Sequence, residues 1–507
     1  MADNRTKNSV RNISWAAINN VASVLFPFFI RTIMIREIGE EGMGLITLYK
    51  SIIEVMNITD LGIKTAINAS LYKPIAENNK ELICNILNLF KKMYMWIAVV
   101  LCTIGIIIIP FLKYMIEGDI PAGINIYFLW ILYLILSASG YLYAYYISFL
   151  DANQRVDVGY KIFIVIRVFE FTLQYIAVVS FKNVYLYVIA RILSTVIYAF
   201  ICKFECRRRH PGCEPRGNLD PVVRGTITKE IKALAIQKIG KTVSISLDAI
   251  FISAFLGLTT VAIYGNYNYI IQAVSVFVMM IGTSIVSSIG NSIVSNTVEK
   301  NYSDFRKIFF LNSWITGWCC ICFICLFKDF MVIWMGEKLL FSSAIVVTLV
   351  LRFYFEIIRN TVLTYKDALG LWSADQWKPI VGCLVNLVLN VILVKSIGVA
   401  GVAISTIISF AFIELPWETR TLFKHYFGCS ERGYYMEMIG SIVRMLVAAI
   451  GTYYVCLYIS GEGIWVLTLK LCVCLIIPNL IFIILNYKNN DFLEAMALVK
   501  KIKDVFI

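Results

Sequence analysis

Histidine is almost missing: His210 and His425 are the only two in 507 residues. Both fall in segments expected on the cytoplasmic side, and no nucleophile–base pair or metal-ligand motif stands out along the chain. Charge is scarce as well. Asp, Glu, Lys and Arg make up 16% of the chain, against about a quarter in soluble domains. There is no secretory signal pattern. The first dozen residues, MADNRTKNSVRN, are polar, and no small-residue cleavage site follows the first apolar run. That run is expected to stay as a transmembrane helix. Basic residues form no single patch and no reader motif, which sets nucleic acid aside despite a net charge of +13.

What is present is hydrophobicity. Apolar residues are 59% of the chain and the mean hydropathy is +0.76, values of a membrane protein rather than of a soluble one with a large core. Most of the 14 cysteines lie in apolar runs such as CCICFIC at 319–325, where Cys acts as a small hydrophobe. Cys206, His210 and Cys213 in CRRRHPGC lack a second ligand pair, so a basic loop is the better reading than a metal site. No cofactor motif is found.

Apolar windows long enough to cross the hydrocarbon fall near 13–35, 43–66, 93–112, 123–149, 159–180, 184–204, 230–256, 261–290, 308–327, 341–365, 379–394, 399–417, 439–459 and 464–486. The expectation is an all-α polytopic membrane protein with about 14 transmembrane helices. With the N-terminus inside, 30 of the 46 Lys and Arg residues fall in inner segments and 6 in outer corners. That asymmetry obeys the positive-inside rule and puts both termini in the cytoplasm. The outer connections are too short to fold as domains.

A weak repeat divides the chain. Slid by 218 residues, IGEEGMGLITLY (38–49) falls on LGLTTVAIYGNY (256–267), each a glycine-marked corner that opens a span. Six spans separate the copies, so the halves share one orientation, as in two-lobed transporters. The expected parts are an N-lobe over 1–217, a C-lobe over 218–432, and a third segment, 433–507, with helices 13 and 14 and a tail. Within that tail 491–506 reads as an amphipathic helix on the inner surface or as a solvated basic tail.

Ionisable residues at bilayer depth mark function unless they face a partner. Lys50 and Glu54 are spaced i, i+4, Arg167 and Glu170 i, i+3, and Arg352, Glu356 and Arg359 share one face of the tenth span. Such pairs can also be static locks between helices. Arg31, Arg191 and Glu414, nearer span ends, are expected to snorkel. Lys238 and Lys241 have no acid within a turn, and Arg352 and Arg359 outnumber Glu356. Surplus positive charge in a wet cavity suits an anionic ligand such as phosphate. The substrate-binding candidates are therefore Arg31, Lys50, Arg167, Lys238, Lys241, Arg352 and Arg359, and the ion-coupling candidates Glu54, Asp60, Asp248 and Glu356. The tyrosine-rich stretches YGNYNYIIQ (264–272) and GYLYAYY (140–146) offer sugar-stacking surface, or simply interface anchors.

The run RTIMIREIGEEGMGLITLYKSI, then DLGIKTAI, then LYKPIAENN resembles the start of bacterial oligosaccharide flippases. These are the Wzx-like polysaccharide transporters of the multidrug/oligosaccharidyl-lipid/polysaccharide superfamily. Arg31, Ile33, Gly39, Gly44, Leu45, Ser51, Asp60, Leu61, Gly62, Ile63, Tyr72, Lys73 and Pro74 carry the likeness, and AIYGNYNYI (262–270) adds to it. The resemblance implies two pseudo-symmetric six-helix lobes around a central cavity, plus two C-terminal helices. It implies alternating access that moves an undecaprenyl-diphosphate-linked oligosaccharide across the bacterial inner membrane for O-antigen, capsule or exopolysaccharide synthesis. The partners on that reading are membrane lipids, the lipid-linked substrate, a polymerase and glycosyltransferases. Drug-exporting relatives carry an acid in the first helix, and 13–35 has none. Two other readings compete: an exporter of small amphipathic compounds, and a membrane-bound polymerase or ligase. The absent catalytic groups weigh against any enzyme.

Overall fold

A computed structural model describes residues 2–57, 63–118, 120–153, 155–371, 373–489 and 491–496; side chains are described at these except 2–14, 17, 65, 66, 226, 229–245, 281–285, 287, 288 and 373. Among the described residues there is no strand. The chain forms two compact units, Met1–Ala262 and Ile263–Ile507.

The first unit holds α1 (Ala2–Ile38), α2 (Glu40–Met56), α3 (Ile63–Ala76), α4 (Lys80–Ile108), α5 (Ile126–Gly140), α6 (Ala144–Ala152), α7 (Val156–Val179), α8 (Val184–Arg209) and the start of α9 (Pro221–Ser295). Asparagines start several of these helices. The Asn79 side chain caps α4, Asn125 caps α5 and Asn183 caps α8, each accepting from backbone N–H groups of the first turn. The second unit holds the rest of α9, then α10 (Val298–Met335), α11 (Ser343–Ile358), α12 (Asn360–Leu369), α13 (Lys378–Ile408), α14 (Leu415–Leu422), α15 (Arg432–Leu457) and α16 (Ile464–Asn486).

Ten helical segments among the described residues are long and apolar enough to cross a membrane. Two of them each cover two expected spans. Ser246–Met280 is broken at Gly257, and Lys378–Phe427 at Ile397 and Gly398. The expected second and tenth windows fall on α2 and on α11 with α12, where single helices are only 17 and 16 residues long at most. The fourteen windows and ten segments are thus one pattern, counted through kinks or at them.

The two repeated corners share a backbone. Gly39 has φ 96° and ψ 166°, and Gly257 has φ 81° and ψ 171°. A positive φ there is open to glycine and strained for other residues. Gly44 is needed for another reason: a Cβ on it would overlap the Leu258 carbonyl, so its hydrogen lets α2 pack directly on the α9 backbone.

A second recurrence was not expected. The fourth window, 123–149, is not one helix; a turn at 141–143 separates α5 from α6. The tenth window breaks likewise at Arg359, between α11 and α12. Tyr141 and Arg359 are 218 residues apart, the offset of the corner repeat.

The first part of the tail docks on protein. Residues 491–496 are helical. Arg306 pairs with Asp491 at 2.7 Å, Lys307 with Glu494 at 2.8 Å, and Phe492 packs on Phe310 and Trp314. In its described part this segment packs one side, Phe492 and Ala495, on protein and leaves Leu493 and Met496 exposed. The remainder, 497–507, lies outside the described residues.

Candidate functional site

Tyr49 fixes where α2 lies in the first unit. Its hydroxyl donates to the Ile126 carbonyl at 2.7 Å, and its ring packs edge-on against Trp130 and Tyr133 of α5. The next residue, Lys50, begins a stripe of Lys50, Ile53, Glu54 and Asn57, spaced i, i+3, i+4, i+7. The same spacing recurs on three more helices: Tyr133, Leu136, Ser137 and Gly140 on α5; Phe163, Ile166, Arg167 and Glu170 on α7; Arg191, Ser194, Thr195 and Tyr198 on α8. These four stripes, with Tyr141 and Tyr143 from the break before α6 and Ala144 at its start, line a cavity of about 440 Å³. Each helix contributes one face because residues at those spacings project to the same side.

Three cations line this cavity against two carboxylates. Arg167 pairs with Glu170 at 2.9 Å, and Arg191 approaches the same carboxylate at 3.7 Å. Glu54 accepts a hydrogen bond from Ser246 at 3.1 Å. Among the described residues the Lys50 ammonium makes no hydrogen bond and no ion pair, so it is not locked to Glu54. The Tyr133 hydroxyl and Arg167 Nε are buried with no hydrogen-bond partner among the described residues. The wall thus has spare donors and a surplus positive charge, the complement of an anion rich in acceptors. The rings are organised as well. Tyr143 meets Tyr198 edge-on at 4.8 Å, Tyr141 stacks on Tyr94 at 5.8 Å, and the Tyr141 hydroxyl donates to Asn57 at 3.0 Å.

Of the expected site residues, Lys50, Arg167 and Glu54 meet here. Arg31 does not; it is 9% exposed, and its guanidinium donates to the Ala262 carbonyl at 3.3 Å. Asp248 is fully buried in α9. Asp60 and the side chains of Lys238 and Lys241 lie outside the described residues.

The expected face of Arg352, Glu356 and Arg359 gathers in the second unit and is not a patch of surplus charge. Arg352 donates to the Tyr264 hydroxyl and, at 2.8 Å, to Asn268. Arg359 is ion-paired to both Glu414 and Glu418, and Glu418 also holds Lys378. Asp375 pairs with Lys378 at 3.5 Å and with Lys366. Three cations and three carboxylates make this group neutral, and the two glutamates that neutralise Arg359 come from 55 and 59 residues away along the chain, beyond the reach of helical spacing. Glu356 is buried on α11.

Snorkelling fails for all three residues to which it was assigned. Arg191 lines the cavity, Arg31 is buried, and Glu414 is 4% exposed beside Arg359. The two tyrosine-rich stretches also part company. GYLYAYY supplies the cavity wall, whereas Tyr264, Asn266 and Tyr267 of the other are core residues at most 2% exposed. Tyr133, Ser137, Ser194, Thr195 and Tyr198 went unmarked in the sequence, and Arg191 was marked only for snorkelling. The i, i+3, i+4, i+7 stripe of polar and aromatic residues within each span was the signal for them.

Cys206, His210 and Cys213 have separate environments. Cys206 donates to the Tyr146 carbonyl at 3.5 Å, and the His210 ring sits edge-on to Phe149. Burial, then the nearby Arg209 and Arg155 guanidiniums, holds the His210 imidazole below its ordinary pKa.

A family model described as polysaccharide biosynthesis protein matches residues 9–286. No curated protein sequence matches the chain. Among solved structures, the lipid II flippase MurJ in an inward closed conformation is similar with a TM-score of 0.67 at 12% identity, over 94% of this chain and 99% of that one. A MATE transporter from Vibrio cholerae is similar with a TM-score of 0.54 at 13% identity, over 83% of this chain and 98% of that one. A MOP superfamily transporter from Pyrococcus furiosus, whose reversed binding-pocket polarity suggests a different function, follows with a TM-score of 0.51 at 13% identity, over 82% and 96%. At such identities the likeness is one of fold.

Proposed function

The chain belongs to the polysaccharide biosynthesis protein family, and from that premise we propose that it is a flippase for an undecaprenyl-diphosphate-linked oligosaccharide. On this reading it works by alternating access in the bacterial cytoplasmic membrane with both termini inside, and breaks no bond. The observation that carries the reading is the Lys50 ammonium, without a hydrogen bond or ion pair among the described residues, on a cavity wall that has a surplus positive charge. A diphosphate is the ligand that such a wall recognises: Lys50 offers a point charge, and Arg167 and Arg191 offer planar donors now shared on one carboxylate, Glu170. Tyr141, Tyr143 and Tyr198 offer faces and hydroxyls to sugar rings.

A cavity of about 440 Å³ lies within the range of small-ligand sites. It suits a headgroup of a few units and leaves the polyprenyl tail in lipid. Membrane lipids, the glycosyltransferases that build the substrate and a polymerase that consumes it are the partners this role requires. A positive wall disfavours the organic cations that drug exporters carry.

The test is reconstitution. Purified protein in liposomes is loaded with a lipid-linked oligosaccharide, and a membrane-impermeant sugar-modifying reagent reports how much of it is outside. Faster exchange between leaflets than in protein-free liposomes is expected. No acceleration with any undecaprenyl-diphosphate glycan, together with efflux of a small amphipathic compound, would transfer the chain to the exporter reading.

A further inference from the structure

The run CCICFIC ends in a cluster that small-hydrophobe packing does not account for. Cys325 of α10, Cys456 near the end of α15 and Cys474 of α16 bring their three sulfurs within 4.8 Å of one another, and all three residues are buried. Cys322, one turn earlier on α10, contacts Cys474 as well. None of the four is in a disulfide. Four thiols from three helices thus meet at one point of the second unit.

We propose that this cluster is a binding site for a soft, thiophilic metal ion, zinc or monovalent copper in class, that clips α15 and α16 to α10. Geometry supports it. Sulfurs bound to one tetrahedral zinc at about 2.3 Å stand about 3.8 Å apart, so small side-chain rotations from the present spacing complete the site. Cys325 and Cys322 are separated by two residues on one helix face, a pair able to ligate from one side while Cys456 and Cys474 close the other. Ligand type supports it: thiolates without imidazole or carboxylate select soft ions over magnesium or calcium.

The surroundings hold the ligands in place. One turn beyond Cys325, Asp329 pairs with Lys470, which is one turn before Cys474, at 2.6 Å. On the opposite side Trp318 donates to the Cys474 carbonyl at 2.8 Å, and Trp314 to Asn479 at 2.9 Å. The α10–α16 seam is therefore pinned on both sides of the sulfurs before any ion enters. Binding releases thiol protons, and the Lys470 ammonium is the nearby cation that offsets the negative charge left on the thiolates.

The experiment uses the full-length protein in detergent, reduced and treated with a chelator, then titrated with Zn²⁺ and separately with Cd²⁺. The expected result is one ion per chain after desalting and a thiolate-to-cadmium charge-transfer absorption. Cys474→Ser weakens binding at least tenfold, whereas Cys472→Ser at an exposed position leaves it unchanged. Because serine in the core can disturb folding, a second readout uses wild-type protein alone: zinc should protect at least three thiols from maleimide labelling under mild denaturation, mapped to Cys325, Cys456 and Cys474. Substoichiometric metal, unchanged binding in a Cys325→Ser, Cys456→Ser, Cys474→Ser triple variant, or a disulfide among these residues in place of metal uptake overturns the proposal.

Discussion

The break before α6 and the break at Arg359 are 218 residues apart and have opposite contents. In the first unit it opens onto a cavity of about 440 Å³ whose wall carries three cations and two carboxylates. In the second unit the break is filled by Arg359, Lys366, Lys378, Asp375, Glu414 and Glu418, which neutralise one another and leave Glu418 fully buried. One backbone device serves two ends. An interrupted helix frees polar groups within the hydrocarbon depth, and these must face water, a ligand or each other. The first unit leaves some of them facing a cavity. The second pairs its charged groups at the break with one another. Two π-helical turns, Ser409–Glu414 and Phe423–Phe427, flank α14 on either side of Glu418; such turns are rare in helical proteins.

This contrast predicts how substitutions divide. The largest loss of stability is expected for Arg359→Met, which leaves Glu414 without its cation and Glu418 with Lys378 alone. Removing one partner of a buried pair costs about 3–5 kcal/mol. A thermal unfolding curve in detergent should show a large drop, and an unchanged curve would mean the cluster is not the sealed core of its unit. Glu170→Gln comes next. It strips the carboxylate shared by Arg167 and Arg191 on a wall that already faces a cavity, so a smaller cost, about 1–3 kcal/mol, is expected. If Glu170→Gln proves as damaging as Arg359→Met, the two units do not differ in the way described. Smallest is Lys50→Ala, which removes a side chain with no partner among the described residues. Its unfolding midpoint should stay near that of the parent, within about 0.5 kcal/mol. A large destabilisation would make Lys50 a structural residue.

Gly44 offers a separate check on the corner. Gly44→Val puts a branched side chain where the Leu258 carbonyl already lies, so folded yield should fall sharply. Gly42→Ala, where the nearest atom is the Ile38 Cγ2 methyl rather than backbone, should be milder.

Much of this arrangement can be read from local spacing. The Lys50–Glu54 stripe and the Arg167–Glu170 pair are visible because helical periodicity projects them to one side, and Gly39 because only a turn with positive φ demands glycine there. What spacing could not show is which distant helix brings the partner. Arg359 and Glu356 share a face, yet Arg359 is neutralised by Glu414 and Glu418, 55 and 59 residues further on. Composition could not separate the two tyrosine stretches either. Tyr141 and Tyr143 border space because a turn lifts them out of α5, while Tyr264 and Tyr267 are sealed by Arg352 and Phe341. Snorkelling was assigned to Arg191 from its position near a span end. A polar stripe at Arg191, Ser194, Thr195 and Tyr198 was the better guide.

The central claim is that the cavity of the first unit takes the anionic headgroup and that Lys50 meets it. The most direct measurement is the leaflet-exchange rate of a lipid-linked oligosaccharide in liposomes containing Lys50→Ala or Lys50→Arg, at matched amounts of folded protein. The account predicts at least a tenfold loss for Lys50→Ala, about 1.4 kcal/mol or more of lost interaction, and substantial retention for Lys50→Arg. Equal rates for the parent and Lys50→Ala would contradict it.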